Sequence, residues 1–87
     1  VTRIQEISDG RHLVLYTTAG CHLCEQAAAI LAELEARNLV IVTAVDIASD
    51  EELVERYGIR IPVVRNEARG EEIGWPFSSE DLLSLVS

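Results

Sequence analysis

Two short apolar runs with one helix-length segment between them constrain this chain more than any other feature of its sequence. His12-Leu13-Val14-Leu15-Tyr16-Thr17 is nearly continuous in strand-forming residues and predicts a strand buried on both faces. Thr18-Ala19-Gly20 interrupts it. From about Cys21 to Arg37 the residues favour helix, and Cys24, Ala27, Ala28, Leu31 and Leu34 recur as one helical stripe. Asn38 suits the left-handed position that ends such a helix. Leu39 to Val45 predicts a second buried strand, ending at Asp46. Strand, helix and strand in succession make a parallel pair with a right-handed crossover.

The rest of the chain extends that unit. Ser49-Asp50-Glu51-Glu52 has capping-box spacing, with Ser49 as N-cap and Glu52 at N3. Leu53, Val54 and Tyr57 then form the inward face of a helix that Gly58 closes. Ile61 to Arg65 predicts a third strand, Asn66 to Gly70 a turn, and Glu71 to Gly74 a short fourth strand. Ser78 caps a last helix, with Asp81 at N3. The resulting order, β-α-β-α-β-β-α, describes an α/β domain with a mixed four-stranded sheet flanked by helices. Residues 12–87 read as that domain and residues 1–11 as an N-terminal extension. Within the extension, Ile4 and Ile7 suit a helical turn and Asp9-Gly10 a reverse turn.

Composition narrows the function. The chain has 87 residues, seven arginines, no lysine and fifteen acids, a formal charge of −8. An acidic surface disfavours nucleic acid and anionic membranes, and the lack of lysine excludes Schiff-base or phosphate-loop lysine chemistry. No apolar run approaches the ~20 residues that span a bilayer. Val1 to Glu6 has neither a basic start nor an apolar block, so it does not read as a leader. The expectation is a cytoplasmic monomer without a cofactor.

The two cysteines sit where the first strand feeds the first helix, as Cys21-His22-Leu23-Cys24. At a helix N-terminus the unpaired amides favour a thiolate, so the pKa of Cys21 should fall below the ~8.5 of a free thiol. Cys24 joins the apolar stripe. An exposed thiolate with a second thiol one turn on can attack a disulfide and then release the product. Half a zinc site, completed by His12 and His22, is a competing reading, but His22 lies between the cysteines and fits one tetrahedral ion poorly. A protonated His22 would further stabilise the Cys21 thiolate, and an exposed bystander is its alternative.

Pro62 lies inside a strand-like run, where a cis bond or an edge-strand start would seat it. A cis bond would leave the backbone of Ile61 free to pair with an extended substrate. Trp75 either forms an apolar platform beside the cysteines or packs between the hairpin and the last helix.

Tyr16-Thr17-Thr18-Ala19-Gly20-Cys21-His22-Leu23-Cys24, followed by Tyr57-Gly58-Ile59-Arg60-Ile61-Pro62-Val63-Val64, resembles the glutaredoxin-like branch of the thioredoxin superfamily. It is similar above all to the small bacterial glutaredoxin-like proteins with a Cys-His-Leu-Cys site, from about Leu13 to Val86. The resemblance implies a thioredoxin-like fold and thiol–disulfide exchange, with Cys21 as nucleophile, Cys24 as resolving thiol and Pro62 in cis. It implies as partner a disulfide-containing protein or a small thiol, with glutathione as a candidate co-substrate. The chain departs from the common pattern at glutathione's usual contacts. Thr18 stands where many relatives have a lysine, and Gly74 is followed by Trp75-Pro76-Phe77 instead of a second glycine and an acidic cap. Those departures keep open a non-catalytic binding or redox-sensing module, and they weigh against a third class, an iron–sulfur carrier bridged by glutathione.

Overall fold

The computed structural model describes residues 10–86, so the turn expected around Ile4 and Ile7 lies outside the described residues. The elements are β1 (His12–Thr17), α1 (His22–Ala36), β2 (Ile41–Asp46), a 3-10 turn (Ile47–Ser49), α2 (Glu51–Tyr57), β3 (Val63–Asn66), β4 (Glu71–Gly74) and α3 (Ser79–Val86). The sheet order is β2-β1-β3-β4. β1 and β2 run parallel from His12↔Ile41 to Thr17↔Asp46. β3 is antiparallel to β1 (Tyr16↔Val63) and to β4 (Val63↔Gly74). The α/β architecture read from the sequence is the one observed. Among the described residues, no helix is long and apolar enough to cross a membrane.

β1 is buried on both faces, as its apolar run predicts. Leu13 and Leu15 face one way, into a core with Leu31 and Leu34 of α1, Val64 of β3, and Leu82 and Leu85 of α3. Tyr16 faces the other way, with Val63, Ile47 and Tyr57. The sheet therefore separates two cores, the larger beneath α1 and α3 and the smaller beneath α2.

α1 ends as Asn38 foretells. Asn38 takes φ 63°, its N–H donates to Glu35 O, and Leu39 N–H donates to Leu34 O. This six-to-one and five-to-two pairing satisfies carbonyls that the helix end would otherwise leave open. α3 begins with the expected reciprocal cap: Asp81 N–H donates to Ser78 Oγ and Ser78 N–H to the Asp81 carboxylate.

Four local expectations are corrected. β2 is not buried on both faces: it is an edge strand, and Ile41 is 47% exposed. The apolar run that suggested burial is anchored by its flanks, Val40 and Ile47, which are buried. β3 starts at Val63, two residues later than Ile61. Ala28 of the α1 stripe and Val54 of α2 point outward. Finally, the N-cap of α2 is Asp50, not Ser49: its carboxylate accepts from Glu52 N–H and Leu53 N–H. Starting the helix there turns Leu53 and Tyr57, four apart, toward the smaller core. Ser49 belongs to the 3-10 turn and donates to Asp46 O. Asp50→Ala should therefore lower stability by about 1 kcal/mol, and Ser49→Ala by clearly less. Urea unfolding midpoints of the two variants decide the point, and equal losses would restore Ser49 as the cap.

Candidate active site

Strand registers gather the candidate residues at one end of the sheet. Thr17 ends β1 opposite Asp46, while Val63, the first residue of β3, pairs with both Tyr16 and Gly74. The segments holding Cys21, Pro62 and Trp75 all leave the sheet at this end. The chain exits β1 through Thr18-Ala19-Gly20, and Gly20 adopts φ 76°, where a side chain would be strained.

Cys21 follows in extended conformation as the N-cap of α1. Its Sγ accepts the N–H of Cys24 at 3.1 Å, in the way a capping oxygen would. Cys21 and Cys24 are joined by a disulfide, their Cα atoms 5.1 Å apart. The two sulfurs are unequal in access: Cys21 is partly exposed, whereas Cys24 is 2% exposed and lies on the buried face of α1. His22 and Leu23, between them, are exposed. His12 starts β1, five residues and so roughly 16 Å from its far end, and hydrogen-bonds Thr43. It cannot join the cysteines around one ion.

The Ile61–Pro62 and Trp75–Pro76 peptide bonds are both cis. Pro62 is buried and its carbonyl accepts from Trp75 N–H at 3.1 Å, which ties the two segments side by side. The Ile61 amide is not free, as the sequence had suggested: it donates to Tyr57 O at 3.0 Å. Only the carbonyl of Ile61 remains for a substrate. Trp75 packs its indole edge-to-face on Phe77, centroids 5.0 Å apart, and stays partly exposed. Its packing against the larger core and its place beside Pro62 are thus compatible.

Sequence reasoning missed a polar hub behind this loop. The Glu72 carboxylate accepts from Tyr57 OH (3.0 Å), Arg60 (2.8 Å) and Arg65 (3.1 Å). It thereby joins the end of α2, the segment leading to Pro62, and the β3–β4 pair. Tyr57 stacks on Tyr16 with centroids 4.3 Å apart, and burial, with Tyr57 and Glu67 nearby, pushes the Tyr16 phenol up to about 12. The only signal was strand alternation, which places Glu72 on the face opposite Ile73. Burial alone would raise the Glu72 carboxyl, but hydrogen bonds from Arg60, Tyr57 and Arg65 outweigh it and hold the group below the ordinary carboxylate range. A carboxyl lowered in the folded state gives stability that is complete above its unfolded value, ~4.3, and lost as pH falls through the folded value. The gap in urea midpoint between wild type and Glu72→Gln should therefore be widest above pH 5 and narrow toward pH 3. A gap that stays constant would remove the hub's electrostatic role.

A mixed four-stranded sheet carrying a Cys-x-x-Cys disulfide at the head of its first helix defines a glutaredoxin-like α/β domain. The family model described as Glutaredoxin-like domain (DUF836) matches residues 12–87, and the chain belongs to that family. Among solved structures, the chain is similar to the X-ray structure of protein XcR50 from X. campestris. The two are 39% identical over 83% of this chain and 91% of that one, with a TM-score of 0.71. The solution structure of XcR50 gives 39% identity, 83% and 87% coverage, and a TM-score of 0.68. Protein Ne2328 from Nitrosomonas europaea is 26% identical over 100% of this chain and 99% of that one, with a TM-score of 0.75. No curated protein matches the chain significantly.

Proposed function

We propose that this domain is a thiol–disulfide oxidoreductase in which Cys21 attacks and Cys24 resolves. The observation that carries this reading is the N–H of Cys24 aimed at the Cys21 sulfur at 3.1 Å, on the sulfur that is the more exposed of the pair. In the reduced protein that amide and the dipole of α1 stabilise negative charge on Cys21, so the nucleophile is a thiolate near neutral pH. It attacks one sulfur of a substrate disulfide, and the departing thiolate takes a proton from solvent. Cys24 then loses its proton and attacks the Cys21 sulfur, which releases the second substrate thiol and closes the intramolecular disulfide. Two electrons pass from the dithiol to the substrate. The partner is a disulfide-containing protein or small molecule. The Ile61–Pro62 segment aligns it, Trp75 borders it, and the exposed His22 supports the thiolate when protonated.

The test is the pH dependence of alkylation in reduced Cys24→Ser protein. The expected midpoint for Cys21 lies at least about one unit below ~8.5. A midpoint at the free-thiol value would end the oxidoreductase reading and favour a binding module that retains the cysteines without using them.

A further inference from the structure

Residues 58–62, between α2 and β3, carry the Ile61 carbonyl, yet burial holds only one end of this segment. Pro62 is buried and Ile61 half-buried against the smaller core, whereas Ile59 and Arg60 are exposed. The other end is fixed by polar contacts that converge on Tyr57. The Tyr57 carbonyl accepts from Arg60 N–H at 2.7 Å and from Ile61 N–H at 3.0 Å. A Cβ on Gly58 would lie 2.5 Å from the Val54 carbonyl oxygen, so this tight passage out of α2 needs glycine. Tyr57 is held from behind: its hydroxyl donates to Glu72, and its ring stacks on Tyr16. The Arg60 guanidinium completes the ring of contacts, 5.4 Å from the Tyr57 centroid and paired with Glu72 at 2.8 Å.

The two arginines that share the Glu72 carboxylate are not equivalent. Arg65 lies in β3, its side chain 28% exposed, and has Glu67 as a second acid at 3.8 Å. Arg60 has a side chain 46% exposed and, among the described residues, pairs with Glu72 alone. Arg56 of α2 stands over the same Tyr57 ring at 6.0 Å and adds a third positive charge. Without the Glu72 charge these guanidiniums repel one another, and Arg60, on exposed backbone, is the one that swings into solvent. An ion pair this exposed contributes little to global stability, so the consequence of losing it is local.

We infer that Glu72 and Arg60 are positioning residues for the exchange at Cys21: their ion pair, acting with the Tyr57 carbonyl, sets where the Ile61 carbonyl stands, and neither side chain touches the substrate. The inference rests on the oxidoreductase reading and adds to it two residues that act through the 58–62 segment. Arg65, bonded to the same carboxylate from within β3, has no such role. The exchange chemistry is as already described, and the pair changes only how well a substrate that pairs with the Ile61 carbonyl is aligned.

The experiment uses Cys24→Ser protein, reduced with an external dithiol that is then removed, and follows loss of the Cys21 thiol. One probe is 2-hydroxyethyl disulfide, which has no amide to offer the Ile61 carbonyl. The other is a blocked, uncharged peptide whose single cysteine carries 2-mercaptoethanol. The readout is the peptide rate divided by the 2-hydroxyethyl disulfide rate of the same variant, which cancels any change in the thiolate itself. One misaligned backbone hydrogen bond corresponds to about tenfold in rate, so Glu72→Gln and Arg60→Gln should each lower the ratio by about that factor. Arg60→Lys keeps the pair and should restore most of the ratio, while Arg65→Gln should leave it at the wild-type value. Arg60→Gln, a surface change, keeps the test independent of any loss of stability in Glu72→Gln. A ratio that Arg60→Gln does not move, or one that Arg65→Gln lowers equally, overturns the inference and leaves the oxidoreductase reading standing. Failure of the parent Cys24→Ser protein to react even with 2-hydroxyethyl disulfide defeats both.

Discussion

Cys21→Ser should reduce disulfide exchange to the uncatalysed background, while Cys24→Ser should complete the first attack and stop there. The difference follows from access. Cys21 presents its sulfur at the partly exposed head of α1, whereas Cys24 is 2% exposed among the residues beneath that helix. In Cys21→Ser protein the remaining thiol lacks both solvent access and the amide that faces residue 21, so a small alkylating reagent should modify it far more slowly. In Cys24→Ser protein nothing removes the group captured by Cys21, and mass spectrometry should find one substrate moiety per chain, released by a dithiol. The reverse pattern, with turnover surviving Cys21→Ser, would exchange the two roles and contradict the asymmetry of burial.

Asn66→Asp should be the most damaging conservative change in the fold. Asn66 is fully buried, and its Nδ2 donates to Gly10 O and Leu85 O, each at 2.8 Å. Its Oδ1 is buried without a hydrogen-bond partner. Aspartate keeps the shape but removes both donors and places a carboxylate against two carbonyl oxygens. The expected loss at pH 7 is about 3 kcal/mol or more: the Gly10 carbonyl loses this donor, the Leu85 carbonyl keeps only Arg69, and a buried carboxylate faces both oxygens. Against a total of roughly 5–15 kcal/mol for a folded domain, that brings a chain this small close to unfolding. Lower pH should recover part of the loss, because a protonated carboxyl regains one donor. Urea unfolding followed by circular dichroism at pH 7 and pH 5 measures both effects, and an unchanged midpoint would show that the amide donors contribute nothing.

The sequence carried most of the architecture because it rests on local signals. The β1 run, the α1 stripe, Asn38 and the Ser78–Asp81 box each specify their element from within a few residues. The errors arose where the answer depends on distant partners. Nothing in Ile41 to Val45 reveals that β2 has a neighbour on one side only, since strand order decides that. Ser49 and Asp50 are both good caps, and only the need to turn Leu53 and Tyr57 inward selects the second. At the site, Cys21, Cys24 and Pro62 were legible from residue type and spacing. The occupied Ile61 amide was not, because Tyr57 O reaches it through the turn that ends α2. Glu72 was hidden for a similar reason: in the sequence it is one of two adjacent acids, and its three donors come from three different segments.

The amide of Asn66 also brings together two distant parts of the chain. One nitrogen bound to the carbonyls of residues 10 and 85 holds those oxygens within about 6 Å of each other. A short linker from the end of α3 at Val86 to Gly10 would join the two covalently without interrupting α3 or β1. The backbone could then be opened in the solvent-facing 67–70 turn, giving a circular permutant with the same four-strand pairing and the dithiol at the opposite pole from the new ends.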